Sequence, residues 1–166
     1  VTGTNDIPVA QAASFSVAED AAIVTGSVIA TDIDANATHT YALNIAAPAG
    51  LTFNSDGSYS FDATNAAYQS LGVGQQTVLT IPYTVTDDQG ATSVANLEIT
   101  VTGTNDGPVA NADVASTNIN TDVVIDVRAN DSDIDNLQTD LVVSNPQVDS
   151  AQGTVTLDAQ GRVVFT

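Results

Sequence analysis

Ten residues occur twice in this chain, and their spacing constrains the fold more than any other feature. Val1 to Ala10 reads Val-Thr-Gly-Thr-Asn-Asp-Ile-Pro-Val-Ala, and it returns at Val101 to Ala110 with Gly107 in place of Ile7. A repeat at about the length of one sandwich domain marks a tandem array of similar modules. The repeated stretch is then a joint between modules. Val-Thr-Gly-Thr closes an alternating strand, Asn-Asp favours a turn, and the proline fixes φ and holds the residue before it extended. Asp6 and Asp106 in these joints have no Lys or Arg nearby in sequence, so another cation has to neutralise them.

Between the joints, alternating segments bounded by turn residues follow one another with no sustained helical period. Seven strands are predicted near Val9–Val17, Ile23–Ala30, Thr38–Ile45, Leu51–Phe53, Ser58–Phe61, Thr77–Thr86 and Ala91–Val101. The period of two places Tyr41, Leu43, Ile45, Leu79, Ile81, Tyr83, Val85, Leu97, Ile99 and Val101 inward. Ser55 to Ser58 and Asp87 to Gly90 read as tight hairpin turns. Pro82 predicts a bulge or an unpaired side in the sixth strand. Asn65 to Leu71 has room for one helical turn, folding Tyr68 and Leu71 over the end of the sandwich.

The second copy repeats the order of the first: Asp32-Ile33-Asp34 recurs as Asp133-Ile134-Asp135, and Gly57 to Phe61 as Gly161 to Phe165. Counterparts of the last two strands are missing, so the chain is either cut within a module or completed by another chain. The expected fold is all-β: tandem immunoglobulin- or cadherin-like Greek-key β-sandwiches, the second incomplete. Residues 1–6 end a preceding repeat and its linker, 7–103 form a complete sandwich, 104–108 a linker, and 109–166 part of a second sandwich.

Charge narrows the partners. The chain has 18 Asp, 2 Glu, no Lys and two Arg, Arg128 and Arg162, for a net charge of −18. Nucleic acid and anionic membrane surfaces are excluded as partners, and no apolar run is long enough for direct membrane insertion. Disorder is disfavoured because 43% of the residues are hydrophobic and are arranged in alternating runs. The Asp excess suits turns and oxygen-rich metal loops. Cysteine is absent, so a secreted form has neither disulfides nor thiolate metal sites to staple it.

Asn-Asp-Xaa-Pro-Val-Ala, Asp-Ile-Asp, Asp-Gly-Ser-Tyr-Ser-Phe, Tyr-Thr-Val-Thr-Asp-Asp-Gln-Gly and Val-Thr-Gly-Thr-Asn-Asp, in this order, resemble the VCBS repeats and bacterial cadherin-like domains of large repeats-in-toxin-type adhesins. The resemblance spans the chain. It implies extracellular modules at a bacterial surface, with neighbouring repeats of the same chain as partners.

Loops of a seven-strand sandwich alternate between its ends, which sorts the acids. Asp32, Asp34, Asp56, Asp87 and Asp88 fall at the end near Asn5 and Asp6. Glu19, Asp20 and Asp62 fall at the other, near Asn105 and Asp106, toward Asp131, Asp133 and Asp135. These groups suit the six to eight oxygens of Ca2+, more than the tight octahedron of Mg2+. Two carboxylates about 4 Å apart repel by roughly 4 kcal/mol at an effective dielectric near 20, so clusters favour a cation over solvated turns. The arrangement resembles cadherin joints, with a shorter linker. Asp131 to Asn136 also resembles the first half of an EF-hand, but the sixth position lacks Gly and Val142 stands where the bidentate Glu belongs.

Catalytic signals are thin: His39 is the chain's one histidine and reads as a surface imidazole, and no Gly-Xaa-Ser-Xaa-Gly or His-Glu-Xaa-Xaa-His occurs. The chain is expected not to be an enzyme. The leading expectation is a calcium-stiffened extender that projects an adhesive tip in cell adhesion and biofilm. The alternatives are a glycan- or ligand-binding module, or an accessory domain of a secreted enzyme.

Overall fold

The computed structural model describes residues 3–166; Val1 and Thr2, which open the first joint, lie outside the described residues. Two units divide after Thr104. In the first, nine strands follow in order: β1 (Val9–Ala10), β2 (Ala13–Ala18), β3 (Val24–Ser27), β4 (Ala30–Thr31), β5 (His39–Leu43), β6 (Leu51–Phe53), β7 (Ser58–Phe61), β8 (Gln76–Asp87) and β9 (Thr92–Thr102). A four-stranded sheet has the order β2-β9-β8-β5, and a three-stranded sheet the order β3-β7-β6. Every pairing is antiparallel except β2 with β9, from Ala13↔Leu97 to Ala18↔Thr102.

The core lies between these sheets, filled from alternate positions of each strand. Ile81, Tyr83 and Val85 of β8, Leu97, Ile99 and Val101 of β9, and Phe61 of β7 are fully buried. Each such side chain contributes roughly 1.5–3 kcal/mol by leaving water. Phe15 of β2 bridges the sheets, stacked on Tyr59 at 5.7 Å and edge-on to Phe61 at 6.2 Å. Of the ten residues expected inward, Ile45 is the exception: it is 46% exposed, because β5 ends at Leu43.

The first two predicted strands each break in the middle, because one strand cannot ladder with both sheets. β1 pairs with β4, and after Gln11 and Ala12 the chain crosses to β9 as β2. Gln11 N–H donates to Ile29 C=O at 3.1 Å, and the Tyr83 hydroxyl donates to Gln11 C=O, pinning the crossing. Pro82 causes no bulge: the β8–β9 register runs unbroken through Pro82↔Asn96. The effect is on the other side, where the β5–β8 ladder stops at Leu43↔Tyr83 with one further bond, Asn44 N–H to Pro82 C=O at 2.9 Å.

Both hairpin turns form. Gly57 and Gly90 take φ of 84° and 92°, a region open to glycine without a Cβ clash. Asn65 to Leu71 makes two consecutive turns, Tyr68 N–H to Asn65 C=O and Leu71 N–H to Tyr68 C=O, in place of an assigned helix. Tyr68 is buried there, its hydroxyl donating to Ala49 C=O at 2.7 Å.

The second unit, Asn105–Thr166, holds β10 (Val123–Ile125), a 3-10 turn at Gln138–Asp140, β11 (Val155–Leu157) and β12 (Val163–Phe165). Its sheet order, β10-β12-β11, reproduces β3-β7-β6. The β11–β12 hairpin matches β6–β7 residue for residue: Leu51↔Phe61 becomes Val155↔Phe165, and Gly161 turns with φ of 74° where Gly57 does. The bridge Val109↔Ser132 stands where β1 meets β4. Among the described residues, no strand of this unit corresponds to β5, β8 or β9.

Candidate metal centre

Chain reversals bring the acids of the first unit together at its N-terminal end. Asn5 and Asp6 precede β1, Asp32 and Asp34 follow β4, and Asp87 closes β8. Asp6 N–H donates to Asp34 Oδ2 at 2.8 Å, and Asp34 N–H to Asp32 Oδ1 at 2.9 Å. The Asn5 amide donates to Asp87 Oδ2 at 2.9 Å, while Asp87 Oδ1 accepts from Gln89 and Ala91 N–H. The Asn5 amide, followed by these backbone donors, holds the Asp87 carboxyl below the usual Asp value against its partial desolvation. Asp88 is exposed in the turn, and Asp56 spends its carboxylate on the Ser58 N–H and hydroxyl.

At the opposite end, Glu19 and Asp20 follow β2. Glu19 is fully buried, and its Oε1 accepts Thr104 N–H at 2.7 Å. Asp20 Oδ2 accepts the Thr104 hydroxyl at 2.8 Å. Glu19 Oε2 is buried without a hydrogen-bond partner, an expensive state for an ionised oxygen unless a cation compensates it. Asp62 bonds its own turn, at Thr64 N–H and hydroxyl.

The second unit repeats the N-terminal geometry. Asp106 N–H donates to Asp135 Oδ2 at 2.6 Å, and Asp135 N–H to Asp133 Oδ1 at 2.9 Å. Asn136 adds its N–H and amide to that same Oδ1, at 3.0 and 3.1 Å. The Asp135 N–H first, then the two Asn136 donors, hold the Asp133 carboxyl below its ordinary value. Asp135 Oδ1 is buried with no hydrogen-bond partner. Asn105 turns its amide onto Asp106 C=O, and Asp131 Oδ1 accepts Asn111 N–H at 2.7 Å.

Each unit therefore carries the same element: an Asn-Asp segment whose Asp N–H fixes the second carboxylate of Asp-Ile-Asp. Among the described residues of either unit taken alone, no three carboxylate or imidazole ligand atoms lie within 4.8 Å of one another. Each set of donors is thus partial by itself. The donor chemistry, carboxylate and amide oxygens with three buried oxygens lacking hydrogen-bond donors, Glu19 Oε2, Asp32 Oδ2 and Asp135 Oδ1, fits a hard cation such as Ca2+. Sequence reasoning missed two participants. Thr104 looked like strand-end filler, and its one signal was its place in the repeated joint. His39 read as a surface imidazole, yet its side chain is only 15% exposed and faces Asp32.

The profile of the bacterial cadherin-like domain family matches residues 5–103. The chain belongs to that family. Residues 105–166 match a second profile, the bacterial Ig domain. No curated protein matches. Among solved structures, PcdhgB3 EC1-4 is similar at 17% identity and a TM-score of 0.54, over 96% of this chain and 40% of that one. Protocadherin gamma B7 extracellular cadherin domains 1-4 are similar at 16% identity and 0.54, over 96% and 41%. The chain thus spans about 40% of each. At these identities the likeness establishes the fold: cadherin-like, all-β sandwich architecture.

The two families together indicate an extracellular structural or adhesion-type module, and such families are typically non-catalytic. No helix among the described residues is long and apolar enough to cross a membrane.

Proposed function

We propose that this cadherin-like chain is a calcium-stiffened extender from a large secreted bacterial adhesin of the repeats-in-toxin type. It holds a distal adhesive tip away from the cell surface, in adhesion and biofilm, and its partners are neighbouring repeats of the same chain. The observation that carries the reading is the twice-built Asn-Asp and Asp-Ile-Asp element, with the same two hydrogen bonds in each copy. Buried carboxylate oxygens left without donors, Glu19 Oε2 and Asp135 Oδ1, support a cation as their missing partner. In a repeating chain, the Glu19-Asp20 pair at the end of one module is covalently followed by the Asn-Asp and Asp-Ile-Asp donors that open the next. Calcium shared by these groups ties successive modules, which otherwise move freely by default when their interface is small and polar.

The test is thermal unfolding with Ca2+ and with a chelator. An ion at about ten times its dissociation constant adds roughly 1.4 kcal/mol per site, so calcium raises Tm and chelation lowers it. Asp106→Asn together with Asp133→Asn removes the part of that response that the second copy supplies and leaves the fold of the first unit intact. Superimposable melting curves in calcium and chelator would sink the proposal.

A further inference from the structure

The two joints differ at one position, Gly107 for Ile7, and that change creates Asp106-Gly107, one of two Asp-Gly pairs in the chain; the other is Asp56-Gly57. An Asp that precedes glycine can close a five-membered imide, because glycine has no side chain to keep its nitrogen from the neighbouring carboxyl carbon. The fold treats the two pairs differently. Gly57 N–H is bonded to Asn54 C=O at 3.0 Å, and Asp56 Oδ1 is held by the Ser58 N–H and hydroxyl at 2.9 and 2.6 Å. Ring closure there has to break the hairpin turn. Gly107 is exposed, a Cβ on it would meet nothing within 4 Å, and among the described residues its N–H makes no hydrogen bond.

We propose that Asp106-Gly107 is a site of spontaneous backbone modification, where the chain isomerises through a succinimide to an isoaspartyl link. The Gly107 nitrogen attacks Asp106 Cγ: a C–N bond forms, a Cγ–O bond breaks, and the oxygen leaves as water, taking the amide proton and one proton from the medium. Solvent water then opens the ring. Cleavage at the main-chain carbonyl leaves the chain running through the side-chain carbon, and cleavage at Cγ restores aspartate; either way the water and the proton are returned. The isoaspartyl product adds one methylene to the main chain between two pins of the second unit. These are Asp106 N–H on Asp135 Oδ2 at 2.6 Å and Val109 N–H on Ser132 C=O at 2.7 Å. The segment that opens the unit is thereby re-spaced. In the first joint the branched side chain of Ile7 follows Asp6 and crowds the same attack.

The experiment keeps the intact chain for weeks at neutral pH in chelator, folded below its melting temperature in one arm and unfolded in urea in the other. An isoaspartate-specific methyltransferase, which methylates isoaspartyl but not aspartyl carboxylates, then reads the proteolytic fragments that contain each Asp-Gly pair. In the folded arm isoaspartate is expected to accumulate at Asp106 at least about tenfold faster than at Asp56, the rate factor of one turn hydrogen bond that must open first. In urea both sites react. Gly107→Ile, which restores the residue of the first joint, is expected to suppress the reaction at Asp106 and to leave Asp56 unchanged. An Asp106 that reacts in urea but stays silent in the folded chain overturns the proposal, as do equal rates at Asp56 and Asp106 in the folded arm or a Gly107→Ile chain that still isomerises at Asp106. Neither arm contains free calcium, so the outcome is independent of the calcium reading.

Discussion

Gly103 shows why a residue legible as a type can stay illegible as a reason. The repeated Val-Thr-Gly-Thr marks a strand end, but a Cβ at Gly103 would sit 2.0 Å from Leu71 C=O and 2.3 Å from Gly72 C=O. Those carbonyls belong to a turn some thirty residues earlier, and no local pattern announces their approach. Gly103 also donates its N–H to Gln75 C=O at 2.8 Å and accepts Gly74 N–H at 3.1 Å, so its backbone cannot retreat. Gly103→Ala is expected to destabilise the first unit by about 1–3 kcal/mol, the usual cost of overpacking. Gly3→Ala, at the matching position with nothing within 4 Å of a Cβ, should be neutral in the same chain. Urea unfolding of both variants checks this, and equal midpoints would remove the steric account. The acids divide in the same way. Asp34 and Asp135 were findable because their motif recurs, while the buried face of His39 depends on a strand pairing that spacing alone does not reveal.

At the scale of elements, the hairpins were the most readable part, since alternation and turn chemistry act over a few residues. β6 and β7 fall where alternation and the Ser-Asp-Gly-Ser turn place them, and the same hairpin returns as β11 and β12. What alternation could not give was the exchange of sheets at Gln11, which is decided by the free edges of β4 and β9. The β6–β7 turn offers a direct electrostatic check. The Ser58 hydroxyl first, then its N–H, hold the Asp56 carboxyl below its ordinary value. A lowered folded-state value means the turn's contribution is complete above the unfolded Asp pKa, about 3.9. It is lost as pH falls through the folded value. Carboxyl resonances followed by pH titration should place the Asp56 midpoint below the ordinary Asp value, with Ser58→Ala moving it upward. A midpoint that ignores the substitution would contradict the assignment.

For the molecule as a whole, the two units differ in what they can bury. Every buried apolar side chain among the described residues belongs to the first unit: the twelve-residue core runs from Val17 to Val101. The second unit builds the equivalent of one sheet and leaves Val114 97%, Ile119 92% and Val142 86% exposed. Its order rests on polar struts instead. Arg128 reaches Asp126, Leu141 C=O and Gln160 C=O, and the Gln138 amide donates to the carbonyls of Arg128 and Ala129. Net hydrogen bonds of this kind contribute only about 0.5–1.5 kcal/mol each, and cooperative stability comes mainly from buried apolar area. Amide hydrogen exchange should therefore be uneven along the chain, since local opening is easiest where few apolar contacts are buried. Residues of β8 and β9 are expected to exchange through global unfolding, and those of β10, β11 and β12 to exchange far faster at the same pH and temperature. Calcium should slow exchange most at Asp106, Asp133 and Asp135, where the donors gather, and less in β11, which has only its sheet to hold it. Protection in β10 to β12 equal to that of β8 would show that the second unit is stabilised by something other than its own buried surface.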